Sequence, residues 1–167
     1  MKNRKFKKLS ILLLLLTILV STIKWKTYSS TIYQGSIQQA INNANPGDTI
    51  IVPSGIYNEN VEVNKTLNII GENPTTTILD GSGLQYPVLM QITAPNVTIA
   101  NLTVRKASET EHYGILLSDT VNVSLKNLII RENYRGIVFD NATNSQIYNT
   151  SIIKNTAYAV TLRQNSN

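Results

Sequence analysis

The sequence predicts an all-β fold: a right-handed single-stranded parallel β-helix, a solenoid of about four or five coils with a short N-terminal capping helix. Three observations carry this expectation. Short strand-like segments recur at a spacing near 22 residues, their apolar positions line up, and asparagines recur in register between them.

Residues 1–30 stand apart from that pattern. A charged stretch, Met1–Lys8, precedes an apolar run from Leu9 to Ile23 and a polar Thr27-Tyr28-Ser29-Ser30. This is the layout of a signal peptide or N-terminal membrane anchor. The run has 15 residues, short of the roughly 20 that a spanning helix needs. The rest, 31–167, is expected to be exported, to an extracellular, cell-surface or periplasmic location, with the membrane touched only through the N-terminal segment. Seven of the 15 Lys and Arg lie in the first 26 residues, so the remainder sets 8 cations against 10 acids. That balance excludes a nucleic-acid partner, which would require a basic folded face. With no cysteine in the chain, disulfides are excluded as well.

The capping helix is expected over Ser36–Ala44. Ser36 and Gln39 have capping-box spacing, and Ile37, Ala40, Ile41 and Ala44 share one face. Pro46-Gly47-Asp48 ends it. Two turns of helix are marginal alone, so this one must lie on an apolar surface. Strands follow at Thr49–Val52, Asn60–Val63, Leu67–Ile70, Thr77–Leu79 and Val88–Ile92.

The repeat is clearest after that. Asn96–Val104, Asn122–Ile130 and Asn144–Ile152 align, as do Gly114-Ile-Leu-Leu, Gly136-Ile-Val-Phe and Ala159-Val-Thr-Leu. The alignment creates apolar columns: Ile99, Leu125 and Ile147; Val104, Ile130 and Ile152; Ile115, Ile137 and Val160; Leu117, Phe139 and Leu162. Asn101, Asn127 and Asn149 are expected to form an inward-facing ladder at one turn. A leucine-rich repeat would carry a helix per unit, and a sandwich would carry Asn-Gly hairpins; neither pattern occurs.

Ser36–Gly83 resembles the opening of pectin-lyase-like β-helix proteins, through its cap helix, Pro-Gly-Asp turn, Gly55-Ile-Tyr-Asn-Glu59 segment and Ile69-Ile-Gly-Glu-Asn73 turn. The later coils resemble carbohydrate-binding and sugar-hydrolysis domains, including NosD-like copper-accessory proteins. The resemblance implies the fold over 36–162 and leaves function open, because this scaffold hosts lyases, hydrolases, esterases, adhesins and surface-layer components. It also implies more coils than this chain holds, so the sequence is expected to be a fragment of a longer β-helix.

Three groups of residues invite a functional reading. Asp119 and Asp140 lie just past adjacent strands, with Arg135 and Arg163 near in register. Paired acids of this kind serve polysaccharide hydrolysis, whereas a lyase would use acids to hold calcium and an arginine as base. Asp119, however, aligns with Asn141 rather than Asp140, and both acids read equally well as solvated turn residues. The inserted loop Arg105–Tyr113 contains Glu109, Glu111 and His112, the single histidine; the competing reading is a surface loop. Tyr113, Arg135 and Tyr158 form a column suited to stacking on sugar rings, and equally suited to an exposed strand.

No metal site and no cofactor are expected: calcium enters only with the lyase reading, and copper is disfavoured by a chain with one His, two Met and no Cys. Six Asn-x-Ser/Thr sequons, at Asn64, Asn96, Asn101, Asn122, Asn141 and Asn149, are close to the number chance gives. The expectation is therefore an exported β-helix that binds polysaccharide or envelope components without catalysis. A carbohydrate-active enzyme of lyase or hydrolase type and a NosD-like accessory protein are the alternatives.

Overall fold

The computed structural model describes residues 30–32, 35–107 and 109–164. The N-terminal export or anchor segment lies outside them up to residue 29. After a leading strand β1 (Ser30–Ile32) and helix α1 (Ile37–Asn43), the chain makes five three-stranded coils. They are β2 (Thr49–Val52), β3 (Gly55–Tyr57) and β4 (Val61–Val63); β5 (Asn68–Gly71), β6 (Thr77–Asp80) and β7 (Val88–Ile92); β8 (Thr98–Ala100), β9 (Thr103–Arg105) and β10 (Tyr113–Ser118). β11 (Ser124–Lys126), β12 (Ile129–Arg131) and β13 (Arg135–Asp140) form the fourth coil, and β14 (Gln146–Tyr148), β15 (Ser151–Ile153) and β16 (Tyr158–Arg163) the fifth.

Corresponding strands pair in parallel, so three sheets run along the solenoid: A (β1-β2-β5-β8-β11-β14), B (β3-β6-β9-β12-β15) and C (β4-β7-β10-β13-β16). The fold is the right-handed parallel β-helix that the repeat implies. The pairing register is the one that stacks like side chains. In sheet C, Val61, Met90, Ile115, Ile137 and Val160 form one inward column. Val63, Ile92, Leu117, Phe139 and Leu162 form a second. Burying each such side chain contributes roughly 1.5–3 kcal/mol. A one-residue slip would turn the whole column to solvent, which fixes the register.

The turns explain the asparagines differently from the sequence expectation. Asn101, Asn127 and Asn149 have φ of 57°, 52° and 47°. This left-handed conformation costs most residues about 1–2 kcal/mol, and Asn tolerates it best after Gly. Their amides do stack, Asn127 Nδ2 donating to Asn101 Oδ1 at 2.8 Å and Asn149 Nδ2 to Asn127 Oδ1 at 3.2 Å. They are, however, half-buried or exposed, not inward-facing. The inward asparagine is Asn133, which is fully buried. It accepts from Ala107 N–H at 3.0 Å and donates to Val104 O at 3.3 Å and Asn155 Oδ1 at 3.1 Å. A further ladder, Asn96–Asn122–Asn144, lines the corner before sheet A. Gly71 is required by contact: a Cβ there would stand 2.1 Å from the Asn101 carbonyl oxygen of the next coil.

Helix α1 closes the N-terminal end by burying Ile37, Ala40 and Ile41 against coil 1. Ser36 Oγ accepts from Gln39 N–H at 3.1 Å, but the rest of the expected capping box is replaced. Glu59, not Gln39, takes the free groups of the first turn: Ile37 N–H at 2.7 Å, Gln38 N–H at 3.0 Å and Ser36 O–H at 2.6 Å. At the other end Lys65 Nζ donates to the carbonyls of Ile41, Asn42 and Ala44 at 2.9–3.0 Å. Both charges match the helix dipole. The Gly-Ile-Tyr-Asn-Glu segment is thus, in this chain, a helix-capping device.

Candidate functional site

Strands β10, β13 and β16 of sheet C carry or adjoin most of the residues singled out above. Tyr113, Arg135 and Tyr158 occupy the same position on the third, fourth and fifth rungs, so successive backbones stand about 4.8 Å apart there. Arg135 is the hub. Its Nη1 pairs with the Glu111 carboxylate and donates to the Tyr113 hydroxyl at 3.1 Å. Its guanidinium lies 5.2 Å from the Tyr113 ring centroid and 5.5 Å from that of Tyr134. The hydrogen bond to Glu111 is the main reason the guanidinium holds its proton even more firmly than usual, against the opposing effect of burial. Arg163 reaches back from β16 to within 5.7 Å of the same Tyr113 ring.

Only part of this set is open to solvent. The Arg135 side chain is 12% exposed and its Nε is buried without a partner, whereas Tyr158 is 58% exposed. Arg135 therefore fastens the inserted loop to the sheet through Glu111, and the solvent-exposed members of the cluster are Tyr158 and Arg163. Tyr134 joins the cluster although the sequence reading does not include it; it immediately precedes β13, and that adjacency to Arg135 is the signal that could have placed it.

The loop residues separate. Glu111 faces Arg135, while Glu109 is exposed and is bound through its carbonyl, which accepts from His112 N–H at 3.0 Å. The His112 carbonyl accepts from Arg135 N–H at 3.0 Å, closing the loop onto the next rung. Among the described residues no group of three His, Cys, Asp or Glu side chains is placed to hold a metal ion.

Asp119 and Asp140 occupy different kinds of position. Asp140 ends β13, paired in register with Ser118 and Arg163. Asp119 lies in the turn, at φ 48°, and its Oδ1 accepts from Asn141 Nδ2 at 2.8 Å. The offset visible in the sequence is thus a ladder: Asp119 stacks with Asn141, and no second carboxylate stacks with it.

The fold and this surface define a class, right-handed parallel β-helix proteins with an aromatic and arginine-bearing sheet face. A family model described as periplasmic copper-binding protein (NosD) matches residues 41–167. The chain belongs to the NosD family. Among solved structures it is similar to a pectin methylesterase from Yersinia enterocolitica, at 21% identity and a TM-score of 0.55 over 68% of this chain and 46% of that one. It is also similar to pectin methylesterase PemA from Erwinia chrysanthemi, at 15% identity and a TM-score of 0.53 over 71% and 49%. A pectin methylesterase in complex with a hexasaccharide gives 13% identity and a TM-score of 0.51 over 86% and 68%. At these identities the likeness is one of fold. The chain spans about half the length of the first two. None of the curated proteins compared matches it in sequence.

Proposed function

We propose that this chain is an exported, envelope-located β-helix protein that binds polysaccharide along the outer face of sheet C without catalysing its cleavage. The observation that carries the reading is the rung-by-rung column of Tyr113, Arg135 and Tyr158, with Arg163 folded over it. A glycan lying along the solenoid would meet the exposed Tyr158 and Arg163 first, with Tyr113 and Arg135 supporting them from the rungs below. Export rests on the N-terminal charge-then-apolar pattern, and the periplasmic description of the family favours the same compartment.

The family description also favours a copper-accessory role. Soft copper sites use Cys, Met and clustered His. This chain has no Cys, its single His is His112, and Met90 is buried in the sheet C core column. That donor set does not fit a copper centre within this chain. An esterase, lyase or hydrolase reading has only the shared fold behind it, and a fold is not an activity.

The test is retention of the full chain on immobilised neutral and acidic polysaccharides, with Tyr158→Ala and Arg163→Ala beside the wild type. Retention on at least one glycan, weakened by both substitutions, is the expected result. Failure to bind any of them sinks the proposal.

A further inference from the structure

The same sheet face has a second feature at its N-terminal end. Helix α1 and the first two rungs of sheet C border an open surface cavity of about 560 Å³, within the roughly 300–1,000 Å³ usual for small-molecule sites. Tyr86 and Pro87 form one wall, Gln38 and Asn42 of α1 line the other, and Glu62 and Gln91 lie between them.

Several of these groups are already committed to holding the walls. The Gln38 carboxamide accepts from Glu62 N–H at 2.6 Å and donates to Glu62 O at 3.4 Å and Asn42 Oδ1 at 3.0 Å. Asn60 Nδ2 donates to Val88 O at 2.5 Å, tying the first rung to the second. The Glu62 carboxylate and the Gln91 carboxamide remain, and neither has a hydrogen-bond partner among the described residues. They are neighbours on adjacent rungs of sheet C. Tyr86 is 65% exposed at the rim.

This set has a definite preference. A carboxylate accepts from hydroxyls, a carboxamide both donates and accepts, and an open aromatic ring covers the C–H face of a sugar. No lysine or arginine lines the cavity, and its one charge is negative. A uronate carboxylate would meet Glu62 with nothing to neutralise it. We propose that this cavity is a subsite for an uncharged pyranose unit, at the N-terminal end of a glycan whose further units lie toward Tyr158. The inference rests on the polysaccharide-binding reading above and adds the chemistry of one unit. Four rung spacings, about 19 Å, separate Glu62 from the rung of Tyr158, so an oligosaccharide can touch both.

Calorimetric titration of the full chain with cellotetraose, maltotetraose, mannotetraose and tetragalacturonate tests it. At least one neutral probe is expected to bind, with tetragalacturonate about tenfold weaker or worse. Tyr86→Ala and Gln91→Ala should each weaken the neutral probe by about tenfold, and Glu62→Gln should narrow the gap between neutral and acidic probes. Because these side chains lie at the surface, circular dichroism and thermal melting should be unchanged. If Tyr86→Ala and Gln91→Ala bind as wild type while Tyr158→Ala does not, the subsite is wrong and the sheet-face reading stands. Tighter binding of tetragalacturonate than of any neutral probe also overturns the subsite. Absence of binding by all four probes overturns it together with the neutral-glycan form of the broader reading, which retention on an acidic polymer alone would then leave standing.

Discussion

At the N-terminal end of the solenoid, α1 lies across the core, Ile41 is fully buried, and Glu59 and Lys65 pin the two ends of the helix. At the fifth coil the same inward columns end in Val160 and Leu162, which are 41% and 76% exposed. The side chains are of the same kinds and obey the same register, yet they are buried at one end and open at the other. In a solenoid each coil is stabilised by its neighbours. A coil with a neighbour on one side only loses burial, and the upper edges of β14, β15 and β16 are left without a strand partner among the described residues. Among the described residues, what distinguishes the two ends is the cap that α1 forms over the first coil, not the quality of the strands.

The largest effects should come from matched truncations. Leu117→Ala removes a fully buried side chain and should cost about 2–5 kcal/mol in urea denaturation. Leu162→Ala, two rungs further in the same column, should stay within about 0.5 kcal/mol. Equal losses would break the comparison, by showing that the fifth coil is covered in solution.

Next in size is the cap itself. Glu59→Gln removes the charge that receives two backbone N–H groups and a hydroxyl. The expected loss is about 1–3 kcal/mol, read from the denaturation midpoint. If the loss were negligible, the helix would be resting on its apolar face alone.

The ladder provides a finer contrast. Asn127 is bonded on both sides, whereas Asn149 is bonded only to the rung below. Both substitutions to Ala incur the left-handed backbone penalty of about 1–2 kcal/mol, and Asn127→Ala should cost more by the second bond. Asn127→Gly should recover the backbone part.

The smallest effect is a pH dependence near the closed half. Burial alone would raise the Asp80 pKa, but the hydrogen bonds from Ser82 and the Arg105 guanidinium at 2.6 Å hold it below the ordinary carboxylate range. A folded-state pKa below the unfolded value stabilises the fold above about pH 4 and loses that contribution as pH falls through the depressed value. Thermal melts of Asp80→Asn should accordingly show a flatter acid limb below about pH 4 than the wild type.

Much of this architecture is readable from residues because the period is short and the columns repeat. The helix expected over Ser36–Ala44 forms over Ile37–Asn43, and the columns ending at Val160 and Leu162 stack as aligned. What escaped reading depended on direction or on distance along the chain. β3 carries little strand signal because it has three residues, starts with glycine, and turns Ile56 outward at 66% exposure. Alignment shows that Asn101, Asn127 and Asn149 stack but not which way they face, since that is decided by the left-handed turn. Asn133 and Asn155, 22 residues apart, carried the same spacing signal. Glu59 as a helix cap and Arg135 bound to Glu111 join residues more than 20 positions apart. The cavity set is still more scattered, from Gln38 to Gln91, and only the stacking of coil 1 on coil 2 under the helix assembles it.

Gln38 has one further consequence. By accepting from the N–H of Glu62 and donating to its carbonyl, its side chain imitates the peptide group of a neighbouring strand. One residue of a helix thus occupies the lower edge of sheet C where a strand would otherwise dock. Sheet C is left able to lengthen in one direction only, from coil 1 upward. That is also the order in which a ribosome delivers the chain, so each new coil can find a finished rung to settle on.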